Sequence, residues 1–361
     1  MGQIGQMLGP WRLGLAASVI VVAACRGPAV SETLASSALK SSYFAAIDMG
    51  SSGAKMLVQQ RSEGGSMVTV KDVRLSTRLG EGVATGEPIP TANQDRTLAA
   101  IKSLVTTAHD EFGIDPGSVA LIATAVTRNA SNGRDFLAKI QHDLGIARAR
   151  ILTGEEEAQF GYLGAIAKFR SVGHADDRYA TLDLGGGSFQ LAVGTRDAFA
   201  AGGSTQIGSN QIVGKWLPEG SLTAAQFQAC DLALEAAAPM PLAPDLLHGA
   251  RLVGTGSISK FLAAHLGHPL IAAAEIQALR SSLGAVAPKS RVPLLRGTKT
   301  PEVLAALGLA SDADALDYAI KAPASATLLL HIMKDLAVTE MTVSETDVRH
   351  VLIAELALGK K

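Results

Sequence analysis

From Tyr43 the chain alternates apolar runs with glycine turns. Tyr43–Asp48 (YFAAID), the turn Met49–Lys55 (MGSSGAK) and Met56–Gln60 (MLVQQ) predict strand, glycine turn, strand. A further turn at Glu63–Ser66 leads into a third strand over Met67–Ser76. Leu98, Ile101, Val105, Ala108 and Phe112 fall on one helical face, which predicts a helix over Thr91–Phe112 stopped by Gly113. Val119–Val126 is apolar on both faces and reads as a central strand of a covered sheet. A short helix over Arg134–Leu144, a strand over Ala149–Leu152 and a helix over Glu155–Phe169 follow.

Then the order begins again. Tyr179–Leu184, the turn Gly185–Ser188 and Phe189–Val193 repeat strand, glycine turn, strand, with Asp48 and Asp183 in equivalent places at the two strand ends. The repeat comes about one domain length later. It predicts a duplicated α/β architecture: a first lobe over 43–170, a second over 171–361 whose last helix packs back on the first, and a hinge around Gly161–Phe169. Glu275–Leu358 reads as mostly helical, with breaks near Pro288–Pro301 and at Pro323.

Composition narrows the function. Of 361 residues, 47% are hydrophobic and 18% charged, enough apolar surface for packed cores. With 32 basic and 33 acidic side chains the net charge is -1, so no basic excess points to nucleic acid as a partner. Two cysteines, Cys25 and Cys230, exclude a Cys-rich zinc site, and Cys230 reads as a small buried apolar residue.

The N-terminus has its own pattern. Leu13–Ala24 is uncharged, apolar and too short for the roughly 20 residues that span a bilayer, and so reads as the core of a signal peptide over 1–24. Val22-Ala23-Ala24-Cys25 resembles a bacterial lipobox, which implies lipidation at Cys25, a polar tether over 25–42 and a protein held on the periplasmic side of a membrane.

A glycine turn presents backbone N–H groups to a phosphate, and the carboxylate beside it can share a divalent cation with the phosphate oxygens. Either turn alone is equally the geometry of a tight hairpin. Two at one-domain spacing favour a clamp for a polyphosphate-like anion, with Gly50, Ser51, Ser52 and Gly185, Gly186, Gly187, Ser188 binding phosphate and Asp48 and Asp183 holding the metal.

Ala45–Val58, Arg178–Gly194 and Arg251–Leu266 resemble the two phosphate motifs and the adenosine-type motif of the actin, sugar-kinase and chaperone ATPase superfamily. Ser76–Gly82 (STRLGEG), Ala120–Ala130 (ALIATAVTRNA) and Arg150–Ile166 (RILTGEEEAQFGYLGAI) resemble, more specifically, the exopolyphosphatase/guanosine-pentaphosphate phosphohydrolase family in its short, two-domain form. The resemblance implies two ribonuclease H-like (actin-like ATPase) lobes around a cleft. It makes Glu157 the base for the attacking water, with Glu156 the fallback, and Arg128 a phosphate contact. Lys55 matches a position often basic in the family, and Gly254, Thr255, Gly256 and Ser257 match the third phosphate loop, where Ser257 is also a candidate helix cap. Arg78 and Glu81 are expected to brace one another.

Two departures stand out. The first turn lacks the family's Asn amide and one hydroxyl, and Gln190 stands where the family usually has a Glu that helps hold the metal or position water. The expected function is therefore Mg²⁺-assisted removal of terminal phosphate from polyphosphate or another phosphoanhydride. The alternative is a catalytically impaired lipoprotein that binds or senses polyphosphate or a nucleotide. A superfamily kinase is disfavoured because an exported enzyme would lack ATP. A homodimer is compatible with either reading.

Overall fold

The computed structural model describes residues 42–169 and 177–359. The signal peptide, Cys25 and most of the tether lie outside the described residues. The first half holds β1 (Tyr43–Met49), β2 (Gly53–Arg61), β3 (Met67–Ser76), α1 (Thr91–Phe112), β4 (Ala120–Ala123), α2 (Ala125–Asn129), α3 (Gly133–Leu144), β5 (Arg148–Ile151) and α4 (Gly154–Ile166). The second half opens with β6 (Arg178–Leu184), β7 (Phe189–Thr195), β8 (Phe199–Thr205), α5 (Ser209–Ile212), α6 (Ala224–Ala237), α7 (Pro244–Leu247), β9 (Arg251–Thr255) and α8 (Gly256–Leu266). It closes with β10 (Leu270–Ala272), α9 (Ala273–Gly284), α10 (Pro288–Arg296), α11 (Pro301–Leu307), α12 (Asp312–Asp335), β11 (Glu340–Val343) and α13 (Val348–Ala357).

The duplication is visible in strand order. One sheet runs β3-β2-β1-β4-β5 and the other β10-β11-β9-β6-β7-β8. Each has an antiparallel three-strand meander extended by two parallel strands, β1 to β4 to β5 and β6 to β9 to β11. Both lobes thus have the expected duplicated α/β arrangement, the second carrying β10 as an extra edge strand.

The boundary at residue 170 does not divide the packing. Ala158, Tyr162, Ala165 and Ile166 of α4 form a core with Tyr179, Ala192 and Val253 of the second sheet. In exchange, Val348, Leu352 and Ile353 of α13 pack on Ala46, Leu57 and Ile122 of the first. Burying Leu352 and Ile353 there contributes about 2 kcal/mol each. Each half of the chain lends a helix to the other lobe.

Three local expectations are corrected. The apolar stretch Val119–Val126 is not one strand: β4 pairs with β1 only as far as Ala123 opposite Met49, where β1 ends. Beyond it Ala125 and Val126 start α2 and stay buried, and burial without partner strands suits a helix as well as a strand. The helix after β5 ends at Ile166 and continues only as a 3₁₀ turn over Ala167–Phe169. Pro323 does not break α12. A proline cannot donate to the carbonyl four residues back, here Ala319, and the Arg291 Nη1 supplies that bond at 3.0 Å. Arg291 is fully buried, with its other donations going to the carbonyls of Leu283, Val286 and Gly220.

Candidate active site

The two glycine turns meet in a cleft of about 90 Å³ between the lobes. Each turn closes on itself in the same way, the Gly50 amide donating to Gly53 O at 3.0 Å and the Gly185 amide to Ser188 O at 2.9 Å. Those two amides are spent on turn geometry. The cleft is lined by Gly50, Ser51, Ser52, Gly185, Gly186, Gly187 and Ser188. The approach is close enough that a Cβ on Gly186 would collide with the Ser52 hydroxyl, and one on Gly187 with Ser51. The Ser52 hydroxyl also donates across the lobes to Asn210 Oδ1 at 3.3 Å.

Pairing register explains which side chains face which. Asp48 on β1 lies opposite Lys55 on β2, and their charges sit 3.6 Å apart. Asp183 on β6 lies opposite Gln190 on β7, the same offset in the second lobe. Gln190 is buried and its Nε2 donates to the Ser188 hydroxyl at 2.8 Å and the Ser204 hydroxyl at 3.0 Å. The duplicated frame therefore places a cation beside one aspartate and a neutral amide beside the other.

Glu157 enters from the first turn of α4, whose cap is Thr153 in a capping box with Glu156. The Glu156 carboxylate is spent on the Thr153 amide, an exposed structural role, while Glu157 points into the cleft. Burial raises the Glu157 carboxyl to about 7, opposed by Arg128 and reinforced by the charges of Asp48 and Asp183. Burial likewise raises Asp183, eased by Lys55 and reinforced by Asp48. Asp48, Asp183 and Glu157 all line the cleft.

A family model for Ppx/GppA phosphatases matches residues 57–292, well over half the chain. The chain belongs to the Ppx/GppA phosphatase family. Among solved structures, an exopolyphosphatase from Cytophaga hutchinsonii has a TM-score of 0.71 at 18% identity, covering 89% of this chain and 99% of its own. The Aquifex aeolicus member of the Ppx/GppA family has a TM-score of 0.64 at 18% identity, covering 88% and 99%. An exopolyphosphatase-like protein has a TM-score of 0.66 at 19% identity over the same shares. These likenesses establish the fold.

Within this Ppx/GppA protein, several expected residues sit elsewhere than the motifs imply. Arg128 lies behind Glu157, donating from Nη1 to Glu157 Oε2 at 2.9 Å and to Leu152 O at 2.7 Å, with its buried Nη2 unpartnered. It holds the carboxylate rather than facing the cleft. Gly254 is packed beneath the floor against Met341 and Ser259, and Thr255 is buried beside it. Gly256 has φ +78° and a Cβ there would strike Asp183 Oδ1, so its absent side chain makes room for the aspartate. Only Ser257 of that loop lines the cleft, and the N-cap position of α8 is Thr255, whose side chain makes no capping bond, rather than Ser257. Arg78 and Glu81 do not brace one another: Arg78 pairs with Asp317 at 3.6 Å and Glu81 with Arg96 at 3.5 Å. Cys230 is buried on α6, where burial pushes its thiol up to about 12.

Sequence reasoning missed Arg74, Asp317 and Lys321 as cleft residues. The i,i+4 spacing of Asp317 and Lys321 was the available signal, but it reads equally as a solvated helix pair. Among the described residues no group of three or more His, Cys, Asp or Glu is placed to hold a metal by itself. Two aspartates with hard oxygen donors in a glycine-lined cleft nevertheless fit Mg²⁺, which takes few protein ligands and keeps several waters.

Proposed function

We propose that this protein hydrolyses phosphoanhydrides, removing the terminal phosphate of inorganic polyphosphate or a related anhydride by attack of water. The observation that carries the reading is Glu157, a carboxylate raised to about 7 and held at the meeting point of two facing glycine turns. A base with that affinity for a proton accepts one from water at neutral pH and gives it up again after turnover. Arg128 fixes the carboxylate in one orientation, and Thr153 fixes the helix end that carries it. The tips of the two turns and Lys55 supply donors and positive charge for the phosphoryl oxygens. Asp48 and Asp183 would hold Mg²⁺, which when bound offsets the negative charge of the phosphate chain. Membership of the Ppx/GppA phosphatase family supports the reaction class.

The test is phosphate release from polyphosphate, with and without Mg²⁺, by wild type and Glu157→Gln. The variant should lose about 10²–10⁴ in rate and still bind substrate. Undiminished release by Glu157→Gln rejects Glu157 as the base.

A second reading, a non-catalytic anion-binding protein, is favoured by one residue, Gln190. Polyphosphate binding by calorimetry, without release by wild type or by Gln190→Glu at saturating Mg²⁺, selects it. We also infer export and lipidation at Cys25 from the Val22–Cys25 motif, which favours inorganic polyphosphate over a cytoplasmic nucleotide. Mass spectrometry of the native protein checks this, and an unmodified chain that retains residues 1–24 rejects it.

A further inference from the structure

The cleft has a second end, and its charge is opposite to the first. At the inner end the three carboxylates Asp48, Asp183 and Glu157 outnumber two cations, Lys55 beside Asp48 and Arg128 behind Glu157. At the outer end stand three cations, Arg74, Arg78 and Lys321, and one carboxylate, Asp317, which pairs with Arg78 and Lys321. Lys321 Nζ lies 2.8 Å from Asp317 Oδ1 and Arg78 Nε 3.6 Å from the same oxygen. Arg74 runs between Gly53 of the first turn and Gly308 ahead of α12, and its buried Nε has no partner. Asp317 and Lys321 line both the small cleft and an adjoining cavity of about 720 Å³.

The outer cluster is built at a cost. Arg78 has φ +48°, a left-handed conformation that strains a residue with a Cβ. Its loop is held there by the first glycine turn: the amides of Thr77 and Arg78 donate to Ser52 O and the Gly80 amide to Ser51 O. The strain delivers a first-lobe guanidinium to a second-lobe helix, beside the exit from the cleft.

We propose that Arg74, Arg78 and Lys321 form a second anion subsite, with Asp317 as their resident counter-ion, that holds the distal phosphates of a linear polyphosphate. The inference rests on the hydrolase reading of the cleft and names its substrate class. Lys321 and Asp317 stand where the small inner cleft opens into the larger cavity, so a chain whose end occupies the cleft has a path past them. A substrate too short to reach this point, such as pyrophosphate, gains nothing from it. Displacing Asp317 from its cations is the part of binding that a longer polyanion accomplishes.

The test compares long-chain polyphosphate with pyrophosphate, by calorimetry and by phosphate release, for wild type, Arg78→Gly, Lys321→Gln and Asp317→Asn. Losing one charge-assisted contact should weaken long-chain binding about tenfold and pyrophosphate binding much less, with the difference shrinking at high salt. Asp317→Asn should tighten long-chain binding, a gain that a misfolded variant cannot produce. Arg78→Gly removes the guanidinium while relaxing the backbone. Equal losses for both substrates, or none for the long chain, overturn the subsite even if wild type hydrolyses polyphosphate. Long-chain binding that responds to these substitutions without any release upholds the subsite and rejects hydrolysis. A wild type that neither binds nor cleaves polyphosphate overturns both.

Discussion

Glu157 and Gln190 show how one cleft treats two similar side chains differently. Glu157 lies beside Arg128 with its side chain 15% exposed, and its carboxyl is raised to about 7 from an ordinary 4.5 because loss of solvent outweighs the cation. A raised folded value means that the native state holds the proton more tightly than the unfolded chain. That stability is fully present below about pH 4.5 and is lost as pH rises through about 7. Glu157→Gln has no such loss, so in chelator-treated buffer its stability relative to wild type should rise by up to about 3 kcal/mol across that window. Urea melts at each end of the window measure it, and a pH-independent difference would contradict the burial of an ionisable Glu157. Gln190 donates to two serine hydroxyls opposite Asp183. Gln190→Glu adds a buried charge next to an aspartate, and metal-free stability should fall by about 1–3 kcal/mol. Because Mg²⁺ then has a third carboxylate, its thermal shift should exceed that of wild type. Equal Mg²⁺ shifts in the two proteins would place residue 190 outside any cation site.

Among the elements, α12 depends on a residue that is not part of it. Its proline leaves the Ala319 carbonyl without a backbone donor, and Arg291 of α10 supplies one while bonding three other carbonyls. Burial lowers the Arg291 guanidinium below its ordinary range, so its charge is tolerated only through those bonds. Arg291→Met fills similar space but leaves several buried carbonyls unpaired, and should cost about 3 kcal/mol or more. Circular dichroism melts check this, and the loss should include helix signal from α12. A stability unchanged within a few tenths would show that the helix tolerates Pro323 unaided.

At the scale of the whole molecule, exchanged helices and a largely buried ionic network help to join the lobes. Arg349 at the start of α13 bonds Asp347 and, from its Nη1 and Nη2, Asp72 on β3; Lys260 on α8 reaches Asp347 at 2.9 Å. Burial alone would raise the Asp347 carboxyl, but Arg349 and Lys260 hold it well below the usual carboxylate range. A depressed folded value means stability that is present above the ordinary carboxylate pKa and lost as pH falls through that range and below it. Arg349→Met leaves Lys260 as the one cation near Asp347 and Asp72 among the described residues and should cost about 3–5 kcal/mol near neutral pH. The gap to wild type should narrow in acid, as the under-compensated carboxylates protonate. A gap that widens in acid would reverse the assigned roles.

Much of this was legible in the sequence because it depends on local periodicity. The strand, glycine turn, strand repeat, the equivalence of Asp48 and Asp183, and Glu157 at a helix start all follow from residues a few positions apart. Matching strand orders in the two sheets then express the duplication as a fold. Tertiary structure decided what distant segments do to one another. It turned Arg128 onto Glu157, carried α4 to the second sheet, let Arg291 keep α12 continuous through Pro323, and set Asp317 and Lys321 beside Arg74 and Arg78. Spacing along a chain determines which face a side chain shares with its near neighbours. Only packing determines which distant partner meets that face, and so whether a charge is spent on structure or left for a ligand.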